Sequence, residues 1–226
     1  MAPQEAKSPS PELWRRILSA VVMIPPVITL IYLGGVYFQI FMAIAATILI
    51  VEIFFATNKN LVWTGVGAIY IAVASYALMV LRGDPDIGFT TVCWLFVLVW
   101  FADTGAYITG RALGGPKFAP RLSPKKTWSG FFGAVAFAAL VGMATGHLLN
   151  SEVLWRIAIL SGMLGGLSQF GDLLESWLKR RFDRKDMSNL IPGHGGLADR
   201  VDGLVAAAIG AWVINEMTAE SLLKWL

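Results

Sequence analysis

Acids at both ends of one short stretch, with bases between them, are the residues of this chain best placed to do chemistry. The stretch runs from Gly171 to Gly203 and reads GDLLESWLKRRFDRKDMSNLIPGHGGLADRVDG. Asp199 and Asp202 are three residues apart and would share one face of a helix; Asp172 and Glu175 repeat that spacing. Acidic pairs at the ends of apolar helices are expensive unless a cation lies between them. Hard divalent cations such as Mg²⁺ take carboxylate oxygens and substrate phosphates. Neutralisation of nearby Lys and Arg is the other account, and spacing alone leaves both open. Lys179, Arg180, Arg181, Arg184 and Lys185 form a basic run. Taken alone it reads first as an anchor to anionic headgroups and second as a phosphate clamp. In Pro192-Gly193-His194-Gly195-Gly196 the glycines permit positive φ and close backbone approach. Backbone N–H groups there, just before a helix, would form an anion nest, with His194 donating to a phosphate or capping the turn.

A second polar segment begins Asp103-Thr-Gly-Ala-Tyr107 and ends Ser123-Pro-Lys-Lys-Thr-Trp128. Asp103 either binds metal or ribose, or is an ordinary polar helix end. Thr127 is placed to N-cap the next helix, with Trp128 in the interfacial belt. Lys125 and Lys126 before that helix oppose its dipole unless an anion binds there, and a phosphate is the natural candidate. The sequence contains no GxSxG, GxxxxGK[ST], HExxH or strand-linked GxGxxG. Without a poised protein nucleophile, phosphoryl or nucleotidyl transfer fits, a substrate oxyanion attacking phosphorus on a metal template.

The elements that must position these residues are apolar. The chain has 226 residues, 56% hydrophobic and only 15% charged, with a mean hydropathy of +0.64. Soluble domains carry about 25% charged residues, so this composition predicts a polytopic membrane protein, and its span-length apolar runs are read as an all-α transmembrane helical bundle. A span needs roughly 20 apolar residues, and seven candidates emerge, with six to eight compatible: 17–33, kinked at Pro25-Pro26, 36–56, 61–81, a short 89–102, 128–149, 153–170 and 201–217. SLLKWL at the end is too short to cross and is expected at the interface. The polar residues 1–14 are expected to be disordered, and Arg15-Arg16 before an apolar run to begin a retained signal-anchor. Residues 15–226 then form a single membrane-embedded domain.

Charge supports this count. With the N-terminus cytoplasmic, fifteen of the eighteen Lys and Arg fall on the inner side, leaving Arg82, Arg156 and Lys224 outside. Both polar segments, 103–127 and 171–200, are then cytoplasmic loops. Gly142-x-x-x-Gly146 and Gly162-x-x-Gly165-Gly166 favour close helix packing or a dimer. Cys93 is alone, which excludes a disulfide framework, and His147 has no evident role.

Ser176-x-Leu-Lys179-Arg180-x4-Lys185-Asp186, continuing to Pro192-x-His194-Gly195-Gly196-x-x-Asp199-Arg200-x-Asp202, resembles the signature of the phosphatidate cytidylyltransferase (CDP-diacylglycerol synthase) family. The lead-in Gly171-Asp172-Leu-Leu-Glu175 and the segments Asp103–Tyr107 and Ser123–Thr127 resemble further family segments, so the likeness spans about 94–203. It implies transfer of CMP from CTP to phosphatidic acid, giving CDP-diacylglycerol and pyrophosphate. It also implies an all-helical membrane fold, a required Mg²⁺ with room for a second, monovalent cation, a homodimer among membrane lipids with no nucleic-acid partner, and an inner-membrane site facing the cytoplasm. Carried over by position, Asp172, Asp199 and Asp202 would hold metal. Asp199, Asp172 and Lys179 would carry catalysis. Ser123, Lys125, Lys126, Arg180, Lys185, His194, Gly195, Gly196, Arg200 and Asp103 would surround the substrates. Ser129 and Gly203 depart from the family pattern, which has Glu and often Ser there. The alternatives are a CTP-dependent polyprenol or phytol kinase, and a non-enzymatic membrane protein that binds anionic lipid.

Overall fold

Long uninterrupted apolar runs can satisfy their backbone in lipid only as helices, and helices are what the chain forms. A computed structural model describes residues 22, 24–188, 190, 195–218 and 222–225. The expected disordered segment 1–14 and the signal-anchor start lie outside these residues, and Pro25-Pro26 lies at their edge. A short apolar helix, α1 (Ile24–Leu33), is followed by α2 (Gly35–Ala56), α3 (Leu61–Arg82) and α4 (Gly88–Leu113). A hairpin of β1 (Lys117–Ala119) and β2 (Ser123–Thr127) comes next, then α5 (Trp128–Leu148), α6 (Leu154–Arg181), α7 (Ala198–Thr218) and α8 (Leu222–Trp225). Six of these, α2 to α7, are long and apolar enough to cross a membrane. The all-α expectation holds, with one small antiparallel hairpin added, Lys117 opposite Thr127 and Ala119 opposite Ser123.

Helices α4, α5 and α6 pack closely together, α2, α3 and α7 form a second group, and α6 against α7 joins the two. Leu95, Leu98, Ala102, Ala134, Ala138 and Ile157 are fully buried where α4, α5 and α6 meet. The small-residue runs act as anticipated: a Cβ added at Gly142 would collide with Ser161, and one at Gly165 with Ala138. Backbones that close gain dispersion contacts, the main attraction between helices in lipid.

Two expected boundaries move. The fourth helix does not end at Asp103 but continues to Leu113, and the sixth runs past Phe170 to Arg181. The connections therefore shrink from 103–127 to 114–127 and from 171–200 to 182–197. Hydropathy stops counting where charge begins, whereas the backbone continues wherever helical hydrogen bonds and i,i+4 side-chain pairs sustain it. Ser176 Oγ donates to Asp172 at 3.3 Å and Lys179 Nζ to Glu175 at 3.2 Å, both at that spacing. At 26 and 28 residues, α4 and α6 exceed what a span requires and carry their charged turns beyond the apolar bundle.

The short closing helix docks against the bundle. Leu222 and Leu223 are buried in the core, and Lys224 reaches Asp84 and Asp86 in the α3–α4 turn at 3.1 and 2.8 Å.

Candidate active site at one end of the bundle

The last turns of α6 place Asp172, Glu175, Ser176 and Lys179 along one stripe, at relative positions 0, 3, 4 and 7. The first turns of α7 set Asp199 and Asp202 opposite that stripe. Gly171 lets the two helices meet: an added Cβ would lie 2.5 Å from the Asp202 carbonyl oxygen and 2.8 Å from Ala206 Cβ. Without a side chain at 171, the carboxylates on either side converge. Asp172, Glu175 and Asp202 each offer an oxygen within 4.8 Å of the others.

Three carboxylates so close repel one another and lose hydration, which neighbouring cations or a metal must offset. Two lysines flank them. Lys126 Nζ lies 2.6 Å from Asp172 Oδ2. Lys179 Nζ lies 3.2 Å from Glu175 Oε2 and 2.8 Å from Asp199 Oδ1. Glu175 Oε1 is buried with no hydrogen-bond partner. An unpartnered buried oxygen beside two further carboxylates is the donor set a hard divalent cation takes, so these residues fit Mg²⁺. The sequence-based metal set was Asp172, Asp199 and Asp202. The structure brings Asp172 and Asp202 together, adds Glu175, and holds Asp199 apart on Lys179.

The hairpin delivers one lysine and not the other. Successive strand residues face opposite ways, so Lys126 turns inward while Lys125 is exposed. Lys126 Nζ also donates to the Gln169 backbone oxygen at 3.3 Å and to Gln169 Oε1 at 3.2 Å. Gln169 Nε2 in turn donates to Asp103 Oδ1 at 2.9 Å, linking α4 to the site. The anion expected beside the lysine pair is, for Lys126, the carboxylate of Asp172. An aromatic cluster seats the hairpin: the Phe118 ring lies 4.6 Å from Trp128, 5.1 Å from Phe131 and 5.8 Å from Phe170. Thr127 caps α5 as its sequence context predicts, accepting from Gly130 N at 3.1 Å. Ser129, the departure from the family pattern, hydrogen-bonds to the Gly114 carbonyl and so helps close the end of α4.

The turn before α7 differs from its expectation. His194 lies outside the described residues. Of the described backbone donors, Gly196 N gives to Asp199 Oδ2 at 2.9 Å, Leu197 N to Glu52 Oε1 at 2.9 Å and Ala198 N to Glu52 Oε2 at 2.7 Å. The expected nest is thus filled at these positions by the protein's own carboxylates. Its glycines are still needed. Gly195 has φ +83°, and a Cβ on Gly196 would sit 3.0 Å from Glu52 Oε1 and 3.1 Å from Asp199 Oδ2. Glu52, inside the apolar run 36–56, is not among the candidate residues read from the sequence, yet it is the acceptor at this turn. A buried Glu in an otherwise apolar run was its available signal.

The basic run divides by direction. Lys179 points inward. Arg181 stacks over Trp63 at 4.9 Å. Arg184 Nη2 donates to Asn58 Oδ1 at 2.9 Å, tying this connection to the α2–α3 turn. Arg180, Lys185 and Arg200 are exposed, and Ser123 is half-buried on β2. Beside the acids, α2, α3, α6 and α7 enclose an apolar cavity of about 190 Å³ lined by Trp63, Tyr70, Trp177 and Val205, with Glu175 and Asp202 on its wall. Val66 and Leu174, also on the lining, are exposed.

The sequence that builds this site has relatives among known proteins. The model of a family described as the cytidylyltransferase family matches residues 55–218. A phosphatidate cytidylyltransferase of Brucella suis is 48% identical over 158 residues, covering 70% of this chain and 58% of that protein. One from Rickettsia bellii is 34% identical over 210 residues, covering 90% of each. One from Haemophilus influenzae is 43% identical over 129 residues, covering 55% of this chain and 45% of its own length. The chain thus spans little more than half the length of the Brucella relative. Because the matched residues take in α3 to α7 with both sides of the acidic site, the chain belongs to the cytidylyltransferase family.

Proposed function

We propose that this protein transfers CMP from CTP to phosphatidic acid, giving CDP-diacylglycerol and pyrophosphate at a membrane. The observation that carries the proposal is the clustering of Asp172, Glu175 and Asp202 between Lys126 and Lys179 at the edge of an apolar cavity. A site where fixed charges meet an apolar pocket suits a reaction between a water-soluble triphosphate and a lipid phosphate. The relatives named phosphatidate cytidylyltransferase point the same way.

In this mechanism a phosphate oxygen of phosphatidic acid attacks the α-phosphorus of CTP. The new O–P bond forms as the bond to the β-phosphate's bridging oxygen breaks, and pyrophosphate leaves with that electron pair. The protein supplies no nucleophile; it positions the two phosphates and offsets their charge. Asp172, Glu175 and Asp202 would hold Mg²⁺, which when bound supplies charge neutralisation for the triphosphate and the leaving pyrophosphate. Lys126 and Lys179, now paired with carboxylates, are placed to exchange those partners for phosphate oxygens. Asp199 holds Lys179 and the start of α7. Ser123, Lys125, Arg180, Lys185, His194 and Arg200 belong to the approach of the nucleotide, and Asp103 acts through Gln169. The cavity between α3 and α6 receives part of the lipid's apolar body.

The proposal includes an inner-membrane location with this end of the bundle in the cytoplasm. It is supported by the concentration of Lys and Arg in residues 114–127 and 179–200, with Lys59 in the α2–α3 turn at the same end. Mg²⁺ dependence and a homodimer rest on the family resemblance.

Product analysis tests the function. Purified protein is given Mg²⁺, phosphatidic acid in detergent micelles, and CTP labelled at the α-phosphate. The expected result is label in the lipid fraction with release of pyrophosphate. Label left in water as CDP, with γ-label passing to an added lipid alcohol, would replace this function with a kinase. No transfer of either label by folded protein would leave an anionic-lipid-binding protein.

A further inference from the structure

Helix α7 begins at Ala198 after Leu197, a residue with no side-chain oxygen to cap it. The four leading N–H groups of a helix need acceptors, and here they come from a different part of the chain. Glu52, on α2 and only 4% exposed, accepts from Leu197 N at 2.9 Å and Ala198 N at 2.7 Å. The same carboxylate accepts from Ser188 Oγ at 2.5 Å. Asp199 completes the arrangement, its Oδ2 taking Met187 N at 3.0 Å and Gly196 N at 2.9 Å. Two carboxylates therefore clamp the chain where it leaves at Met187–Ser188 and where it returns at Gly196–Ala198. A buried carboxylate is costly unless such donors, and the positive end of a helix, offset its desolvation. Glu52 also lies outside the residues that match the family model, 55–218.

We propose that Glu52 is a positioning residue: from α2 it pins the base of the connection between α6 and α7, and so sets Asp199 and Asp202 for the reaction. The proposal rests on the cytidylyl-transfer function above. Glu52 touches no reacting group. Its reach is through the first turn of α7, one residue from Asp199 and four from Asp202. In Glu52→Gln one carboxylate oxygen becomes an NH₂ group, which cannot accept from a backbone N–H. Either Ala198 N or the Leu197–Ser188 pair then loses its acceptor, while side-chain volume is kept.

The experiment measures amide hydrogen exchange and steady-state kinetics on the full chain in detergent. Glu52→Gln is expected to speed exchange in peptides covering 195–199 while the midpoint of thermal unfolding stays near that of the unaltered protein. It should also lower kcat/KM for CTP about tenfold or more, largely through KM, with KM for phosphatidic acid unchanged. A merely structural loss would lower the active fraction and leave both KM values alone. Ser188→Ala, which removes one donor to Glu52 and the acceptor of Leu190 N but leaves the α7 cap, should move exchange and KM for CTP the same way by a smaller amount, and it carries the test if Glu52→Gln does not fold. Unchanged exchange at 195–199, or faster exchange with unchanged KM for CTP, overturns the proposal. If the unaltered protein transfers no CMP, the function itself fails, and the exchange arm still decides whether Glu52 pins this connection.

Discussion

Both ends of the bundle carry a lysine shared between two acids, yet the two clusters have little else in common. At one end Lys224 bridges Asp84 and Asp86, with the lysine side chain 41% and Asp86 75% exposed. At the other, Lys179 bridges Glu175 and Asp199, with side chains only 13%, 9% and 9% exposed. Water solvates Lys224 and Asp86 whether or not they pair, so that contact is worth little, although Asp84 beside them is only 16% exposed. The second is largely withdrawn from water, where removing one partner strands a charge. It also adjoins the carboxylates of Asp172 and Asp202, so it is poised for an incoming cation or phosphate as well as for internal pairing. Burial and convergence, more than the number of charges, separate the proposed reactive end from a fastened one.

The sharpest way to break that contrast is to remove charge from the carboxylate group. Asp202→Asn is expected to reduce CMP transfer roughly a thousandfold, about 4 kcal/mol of transition-state stabilisation. Radiolabel transfer per mole of monodisperse protein reads it, and activity within tenfold of normal would take Asp202 out of the site. Next comes Lys179→Met, which leaves Glu175 and Asp199 unpaired. A cost of about 3 kcal/mol in stability is expected, with turnover lost; thermal unfolding in detergent and the same transfer assay measure the two effects.

The hairpin offers a finer comparison between neighbours. Lys126→Ala should lower kcat/KM for CTP about a hundredfold, and Lys125→Ala less than about threefold, since charge-assisted contacts form on the inner face alone. Equal effects would mean that the strand faces the site differently. The smallest effect belongs to the opposite end. Lys224 has its pKa raised by its hydrogen bonds to Asp86 and then Asp84, which outweigh a smaller opposing effect of desolvation. A raised lysine pKa gives stability that is present below the ordinary lysine range and lost as pH climbs through the folded value. At neutral pH the Lys224–Asp pairing is therefore intact, and Lys224→Ala should leave CMP transfer unchanged and lower the unfolding midpoint less than Lys179→Met does.

Much of this organisation is written along the chain itself. Apolar runs of span length mark α2, α3, α5 and most of α7, because lipid leaves the backbone no partner except itself. Acids three apart mark Asp172, Glu175, Asp199 and Asp202 as residues that share faces, since the helical period is local. Thr127 declares its cap in the same way. The ends of α4 and α6 were not legible, because hydropathy reports where a helix leaves lipid and is silent on where the helix stops.

What tertiary structure alone decided is which groups meet. Glu175 joins the metal-fitting carboxylates because Gly171 brings α6 against α7, and Asp199 pairs with Lys179 at 2.8 Å. Lys126 faces inward and Lys125 outward because the segment pairs as a strand. The glycines before α7 make room for the carboxylates of Glu52 and Asp199 as well as for a turn. Glu52 lies more than a hundred residues from the amides it caps. Periodicity records neighbours within one element, whereas a partner on another element is chosen by packing, and packing leaves no local trace in sequence.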